Sequence, residues 1–144
     1  MASRRPGRTP VGRKLATTSK AVGTAFNAAL AEQGGSVPVW LILDSLRHGR
    51  WTTQLDLARS LGIEGPTLTR HLDNLEAGGL VVRHRSDSDR RAVSVELTTA
   101  GEEAYGRMLG AVIGFNRRLQ AGLTADELRL LDDVLTRLGE NVRT

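Results

Sequence analysis

Arg70 stands on a stretch whose residue types suit anion and base recognition. Leu68, Leu72 and Leu75 recur at i, i+4 and i+7, the spacing of one helical face. At about 100° per residue, Arg70 points away from those leucines, with Thr67, Thr69 and Asn74 flanking it. The outward face then carries one cation and several small hydrogen-bonding groups, which suits the edge of a base in a DNA major groove. Pro66 fits the first helical turn, where its missing N–H is no loss, and Gly78-Gly79 offers a left-handed stop. Downstream, Val93, Val95 and Leu97 alternate with Ser94 and Glu96, which is strand periodicity. The intervening Ser86-Asp87-Ser88-Asp89-Arg90-Arg91 favours a turn between two strands. Two adjacent arginines at a protruding tip suit an anion, and the negative potential of a minor groove is one. Taken alone, each feature also fits ordinary structure: a solvated helix face and a solvated loop.

The elements that must position these groups precede them. Gln54 to Leu61, with the Gly62-Ile63 turn, places a short helix just before the Arg70 helix. Helix, tight glycine turn and second helix form the helix-turn-helix pattern. Thr53-Gln54-Leu55-Asp56 is a candidate cap for the short helix, and Leu55, Ala58 and Leu61 are its expected buried face. Thr52 and Thr53, just before it, are candidate phosphate contacts.

No constellation for catalysis is visible. There is no Gly-rich phosphate loop and no Cys/His pair, and His48, His71 and His84 are scattered without metal-ligand spacing. Asp87 and Asp89 lie beside arginines, so salt bridging within the turn explains them better than paired-carboxylate chemistry. Asp132-Asp133 reads as a solvated helix face. An enzyme is not expected, nor is a cofactor.

The chain has 144 residues, a length that suggests one domain. Lys and Arg number 20 against 16 Asp and Glu, a formal charge of +4. Arginine greatly outnumbers lysine, which favours an anionic partner through bidentate geometry. Cysteine is absent, which excludes disulfides and thiol redox sensing. No apolar run approaches the about 18 residues of a membrane span, and the basic N-terminus has no signal core. A cytoplasmic location and no membrane partner are expected.

In order, residues 1–12 with Arg4, Arg5 and Arg8 read as a flexible basic arm. A helix is expected from Arg13 to Glu32, with a broken stripe of Leu15, Val22, Phe26, Ala29 and Leu30. Ser36 and Pro38 open a second helix to about Arg47, with Val39, Trp40, Leu43 and Leu46 apolar. Thr99-Ala100-Gly101-Glu102 matches a capping box for a long helix to about Ala121. Its expected apolar face carries Tyr105, Met108, Leu109, Val112, Ile113, Phe115 and Leu119. Thr124-Ala125-Asp126-Glu127 is a second capping box. It opens a helix whose Leu128, Leu131, Leu135, Leu138 and Val142 form a narrow seam of the coiled-coil kind. This apolar surface exceeds what a small core needs, which suggests a partner.

The runs Leu57–Ile63, Pro66–Arg70, Leu72–Glu76, Gly79–Val81, Asp89-Arg90-Arg91 and Leu97-Thr98-Thr99-Ala100-Gly101 resemble the MarR family, most closely its SlyA-like branch. The Asp-Arg-Arg wing followed by Leu-Thr-x-x-Gly is the specific part. The resemblance extends from about Lys14 to Val142. It implies a mainly α fold with a small β-hairpin wing, a winged helix-turn-helix region over 36–97 and dimerisation helices over 13–35 and 98–144. It also implies a homodimer and double-stranded DNA as partner. By that resemblance Pro66, Thr67, Thr69 and Arg70 match the base- and phosphate-contacting surface of the recognition helix. His71 lies nearer the buried edge, and Asn74 flanks the outward face. Arg91 matches the wing-tip arginine of the minor groove, Arg90 its backbone-contacting neighbour, and Asp89 the acid that shapes the wing. Arg85 and Arg83 are weaker candidates on the strand flank, since the spacing from Arg85 to Asp89 departs from the commonest wing. The family often senses small aromatic anions in a cleft. Trp40 is a candidate to stack on such a ring and Lys20 to pair with its carboxylate, beside the plainer readings of a core aromatic and a surface lysine. The expected function is a sequence-specific transcription regulator, most simply a repressor, on a pseudo-palindromic operator. A protein-interaction or architectural module without sequence specificity is the alternative.

Overall fold

The computed structural model describes residues 10–49, 53–85, 87 and 92–143. The elements run α1 (Val11–Ala31), α2 (Val37–His48), α3 (Gln54–Leu61), α4 (Gly65–Ala77), β1 (Val81–Arg85), β2 (Val93–Leu97), α5 (Thr99–Leu119) and α6 (Ala125–Val142). The architecture is therefore mainly helical with one two-stranded antiparallel hairpin, as expected. The chain divides into two compact units, residues 1–112 and 113–144.

In the first unit the helix starts follow local chemistry. Ser36 caps α2 by accepting from Val39 N, and Pro38 sits in the first turn. Thr53 caps α3 by accepting from Asp56 N. Gly62 ends α3 at φ 63° and Gly79 follows α4 at φ 75°, left-handed positions that glycine adopts without a Cβ clash. The tight Gly62-Ile63-Glu64 link between α3 and α4 completes the helix-turn-helix.

The core of this unit is one apolar cluster. Leu30, Ile42, Leu43, Leu57, Leu68, Leu72 and Val81 are fully buried, each worth about 1.5–3 kcal/mol on removal from water. The α4 leucines bury the face that their spacing marked. In α3 the buried pair is Leu57 and Ala58, whereas Leu55 is 58% exposed. Either set, 55/58/61 or 57/58/61, lies on one side of a helix, and the packing of α3 against α2, α4 and β2 makes the Leu57 side the inner one.

The hairpin pairs Val81 with Leu97, Arg83 with Val95 and Arg85 with Val93. Val81 and Val95 turn inward to the core. The start of α5 differs from the expected box at Thr99. Thr98 is the cap: its Oγ1 accepts from Gly101 N at 3.0 Å and donates to Gly79 O at 2.6 Å. Thr98 N also donates to Leu80 O, so the end of β2 is already bonded to the turn after α4. The helix must open from that fixed residue. Glu102 is left to pair with Arg47 of α2 at 3.1 Å.

In the second unit, Thr124 and Glu127 form the complete capping box at the start of α6. Gly122 at φ 81° turns the chain after α5. Along α6, Leu128 and Leu138 are half-buried. Leu130 is 60% exposed and Val142 79%, and Leu131 and Leu135 are also exposed.

Candidate nucleic-acid interface

With its leucines sunk in the core, α4 presents the rest of its circumference outward. Pro66, Arg70 and Asn74 are exposed, and Thr67, Thr69 and His71 are half-buried. No ion-pair partner for Arg70 occurs among the described residues. Its guanidinium is available for a bidentate acceptor such as a guanine edge or a phosphate.

One flank of α4 carries Thr69, Asp73 and Glu76 at i, i+4 and i+7. Together with Gln54, Arg83, Arg85 and Val93 it lines a groove of about 480 Å³ between the helix and the hairpin. Arg83 spans this groove. Its Nη2 donates to Asp73 Oδ1 at 2.6 Å and to Glu76 Oε1 at 3.1 Å, and Arg83 N donates to Glu76 Oε2 at 3.0 Å. The side-chain bond from Arg83, reinforced by the backbone bond, holds the Glu76 carboxyl below its ordinary value. In return Glu76, then Asp73, raises the Arg83 pKa. The strand-flank reading of Arg83 as a nucleic-acid contact therefore needs correction. Its charge is already taken by two carboxylates, and its side chain is only 20% exposed. It fastens the hairpin to α4. Arg85, two residues further along the same strand face, remains exposed.

Thr53 is committed to its cap through Asp56 N at 3.1 Å. Thr52, Asp89, Arg90 and Arg91 lie outside the described residues, as do Arg4, Arg5 and Arg8 of the basic arm. Gln54 was not anticipated. Its Nε2 donates to Thr69 Oγ1 at 2.7 Å, across 15 positions of sequence. The only sequence signal was a long amide side chain in the first turn of α3, and its target depends on how the two helices cross.

Lys20 is exposed on α1. Trp40 is 8% exposed, and its ring lies parallel to Tyr105 with centroids 5.4 Å apart. One aromatic partner of Trp40 is thus internal. The Tyr105 hydroxyl donates to Asp44 Oδ1 at 3.2 Å and lies 2.8 Å from His48 Nε2. Burial, then the Asp44 charge, pushes the Tyr105 pKa up.

Known proteins share this fold. The MarR family model matches residues 36–93, from the α2 cap to the start of β2. YdgJ of Bacillus subtilis (strain 168), an uncharacterised HTH-type transcriptional regulator, is 33% identical over 129 residues, covering 90% of this chain and 77% of that protein. The transcriptional repressor CouR, solved on a 23-mer DNA duplex, is 30% identical with a TM-score of 0.79 over 93% of each chain. A mutant of MarR from E. coli, solved with operator DNA, is 28% identical with a TM-score of 0.78, covering 90% of this chain and 93% of that one. An open recognition helix after a tight glycine turn, a hairpin clamped beside it and these likenesses converge: the chain belongs to the MarR family of winged helix-turn-helix transcription regulators.

Proposed function

We propose that this regulator binds double-stranded DNA in a sequence-specific way, as a homodimer on a pseudo-palindromic operator, and acts as a repressor. The observation that carries the reading is the face of α4: its leucines are buried, whereas Arg70 is exposed without an ion-pair partner among the described residues. Two such helices would enter successive major grooves about 10 bp apart. Pro66, Thr67, Thr69, Arg70 and Asn74 would meet bases and phosphates, with His71 at the edge. Arg90 and Arg91 would reach the flanking minor grooves, with Asp89 shaping the wing and Arg85 on its flank. Thr52 and Thr53 would lie near phosphate. That MarR and CouR were each solved with DNA supports the partner class.

The homodimer is supported by apolar surface that a single chain leaves open. Leu130, Leu131, Leu135 and Val142 of α6 are exposed, as are Val11 and Leu15 of α1. Segments 13–35 and 98–144 would form the dimerisation region and 36–97 the DNA-binding region. We assign the chain to the SlyA-like branch on the runs between Leu57 and Gly101 that carry the resemblance, above all Asp89-Arg90-Arg91 followed by Leu97-Thr98-Thr99-Ala100-Gly101. It would work in the cytoplasm, at the nucleoid when bound to DNA. A small aromatic anion is the effector class proposed to release it, by favouring a dimer whose recognition helices no longer match the half-site spacing. Lys20 would pair with its carboxylate. Trp40 would contribute at the pocket edge, since Tyr105 already stacks on it.

The test is selection of genome fragments with the purified protein at near-physiological salt, followed by a salt titration on the winner. A recovered pseudo-palindrome with a specificity ratio well above random DNA supports the reading. Salt-sensitive bulk binding with no consensus would sink it in favour of an architectural or protein-binding module.

A further inference from the structure

From the bond between α3 and α4 we infer that Gln54 is a specificity-determining residue. It orients the Thr69 hydroxyl so that the operator is read there by a hydrogen-bond donor. The inference rests on the operator-binding reading above.

A threonine hydroxyl has one hydrogen and two acceptor lone pairs. Left alone on a helix surface, it rotates to donate or accept as the partner requires. Here Gln54 Nε2–H occupies one lone pair of Thr69 Oγ1 at 2.7 Å. The hydroxyl hydrogen cannot point back at an N–H donor, so it turns away. No acceptor for it occurs among the described residues. Thr69 is half-buried on the groove flank of α4, one residue before the exposed Arg70. It can therefore reach a base edge near the one that Arg70 meets. The Gln54 amide is held in turn by its place in the first turn of α3, which Thr53 caps.

The chemistry of the base follows. In the major groove, guanine offers O6 and N7, adenine N7 and thymine O4 as acceptors, whereas cytosine offers only its N4 donor. A Thr69 hydroxyl fixed as a donor discriminates against cytosine at one position of each half-site. Discrimination of about tenfold is expected, at the lower end of what a base-pair mismatch costs. Gln54 acts through Thr69 and is a positioning residue.

The polarity of this bond can be inverted. A carboxylate at position 54 only accepts. In the Gln54→Glu protein Thr69 must donate inward, which leaves a lone pair facing the DNA.

The experiment uses the full-length protein and the operator recovered by fragment selection. Each position of one half-site is randomised, and binding is read by sequencing for the wild type, Gln54→Leu, Gln54→Glu, Thr69→Val and the Gln54→Leu/Thr69→Val double variant. Thermal melts confirm that each is folded. The wild type should disfavour cytosine at one position by about tenfold. Gln54→Leu and Thr69→Val should flatten that same position, and the double variant should do no more than either. Gln54→Glu should turn the preference there towards the bases with an amino donor, cytosine through N4 and adenine through N6, on top of a uniform loss from its added charge. The inference is overturned if Gln54→Leu weakens all sequences equally, if it alters a position that Thr69→Val leaves untouched, or if the wild type prefers cytosine there. A wild type that recovers no consensus overturns the operator-binding reading itself. A wild-type consensus indifferent to position 54 overturns this inference alone.

Discussion

The Arg83 guanidinium of β1 donates to Asp73 Oδ1 of α4 at 2.6 Å. Glu76, one turn along the same helix flank, takes the second bond. A hairpin of two five-residue strands is marginal by itself. Here it is tied to α4 by a cation shared between two carboxylates, and to the core by Val81 and Val95.

Arg83→Met keeps most of the stem and removes the charge. It should lower stability by about 1 kcal/mol or less, since partly exposed ion pairs contribute little. Its larger effect should be on order. Amide exchange in β1 and β2 should quicken, while exchange in α1 and α2 stays as in the wild type. Unchanged exchange in the hairpin would mean that core packing alone holds it.

The same clamp has an acid limit. Glu76 is held below the ordinary carboxyl value of 4.5 by the Arg83 bonds. A folded-state pKa that is depressed contributes stability above the unfolded value, and the contribution is lost as pH falls through the folded value. Urea midpoints should therefore drop on the acid side of 4.5, and Glu76→Gln should make that drop shallower. An identical acid slope in the variant would place the loss in other carboxylates.

Gly101 is a packing requirement. A Cβ there would lie 2.1 Å from Leu80 O, a backbone atom bonded in place by Thr98 N. Gly101→Ala should cost about 3 kcal/mol or more, at or beyond the usual range for overpacking. Gly106 and Gly110 of the same helix have open space at the Cβ position. Alanine at either should stabilise by about 0.5–1 kcal/mol. Thermal denaturation of the three variants distinguishes a steric site from a helix-propensity effect.

Tyr105→Phe keeps the ring on Trp40 and removes the hydroxyl that joins His48 and Asp44. A loss of about 1 kcal/mol is expected. The Tyr105 pKa is raised above its ordinary 10.0 by burial and Asp44. The matching contribution is complete below that value and is lost as pH rises through the folded-state pKa. Wild-type stability should thus fall on the alkaline side of 10.0, and the phenylalanine variant should fall less. Equal alkaline slopes would assign the fall to other groups.

Arg70→Ala tests base reading directly. It should weaken operator binding and relax preference at one base pair, by roughly 1–3 kcal/mol of discrimination. Arg91→Ala should weaken all sequences alike and reduce the salt slope by about one counterion. If Arg70→Ala also weakens every sequence equally, Arg70 is a phosphate contact.

Much of this protein is legible in residue order, because helix caps, glycine stops and leucine spacing act within a few residues. Ser36, Thr53 and Thr124 cap where their side chains reach the next turn. Leu68, Leu72 and Leu75 define the buried face of α4, which leaves Arg70 outward. The Asp-Arg-Arg and Leu-Thr-x-x-Gly runs point to the family for the same local reason. What remained hidden depends on which segments meet. Leu57 rather than Leu55 is buried because the neighbours of α3 decide its inner side. Thr98 rather than Thr99 caps α5 because Gly79 and Leu80 already hold it. Arg83 is a clamp rather than a free cation because α4 brings Asp73 and Glu76 beside β1. Gln54 touches Thr69 only where two helices cross. Sequence alone determined the elements and their outward chemistry. Tertiary structure decided which polar groups are already spent on one another, since that is set by distances between residues far apart in the chain.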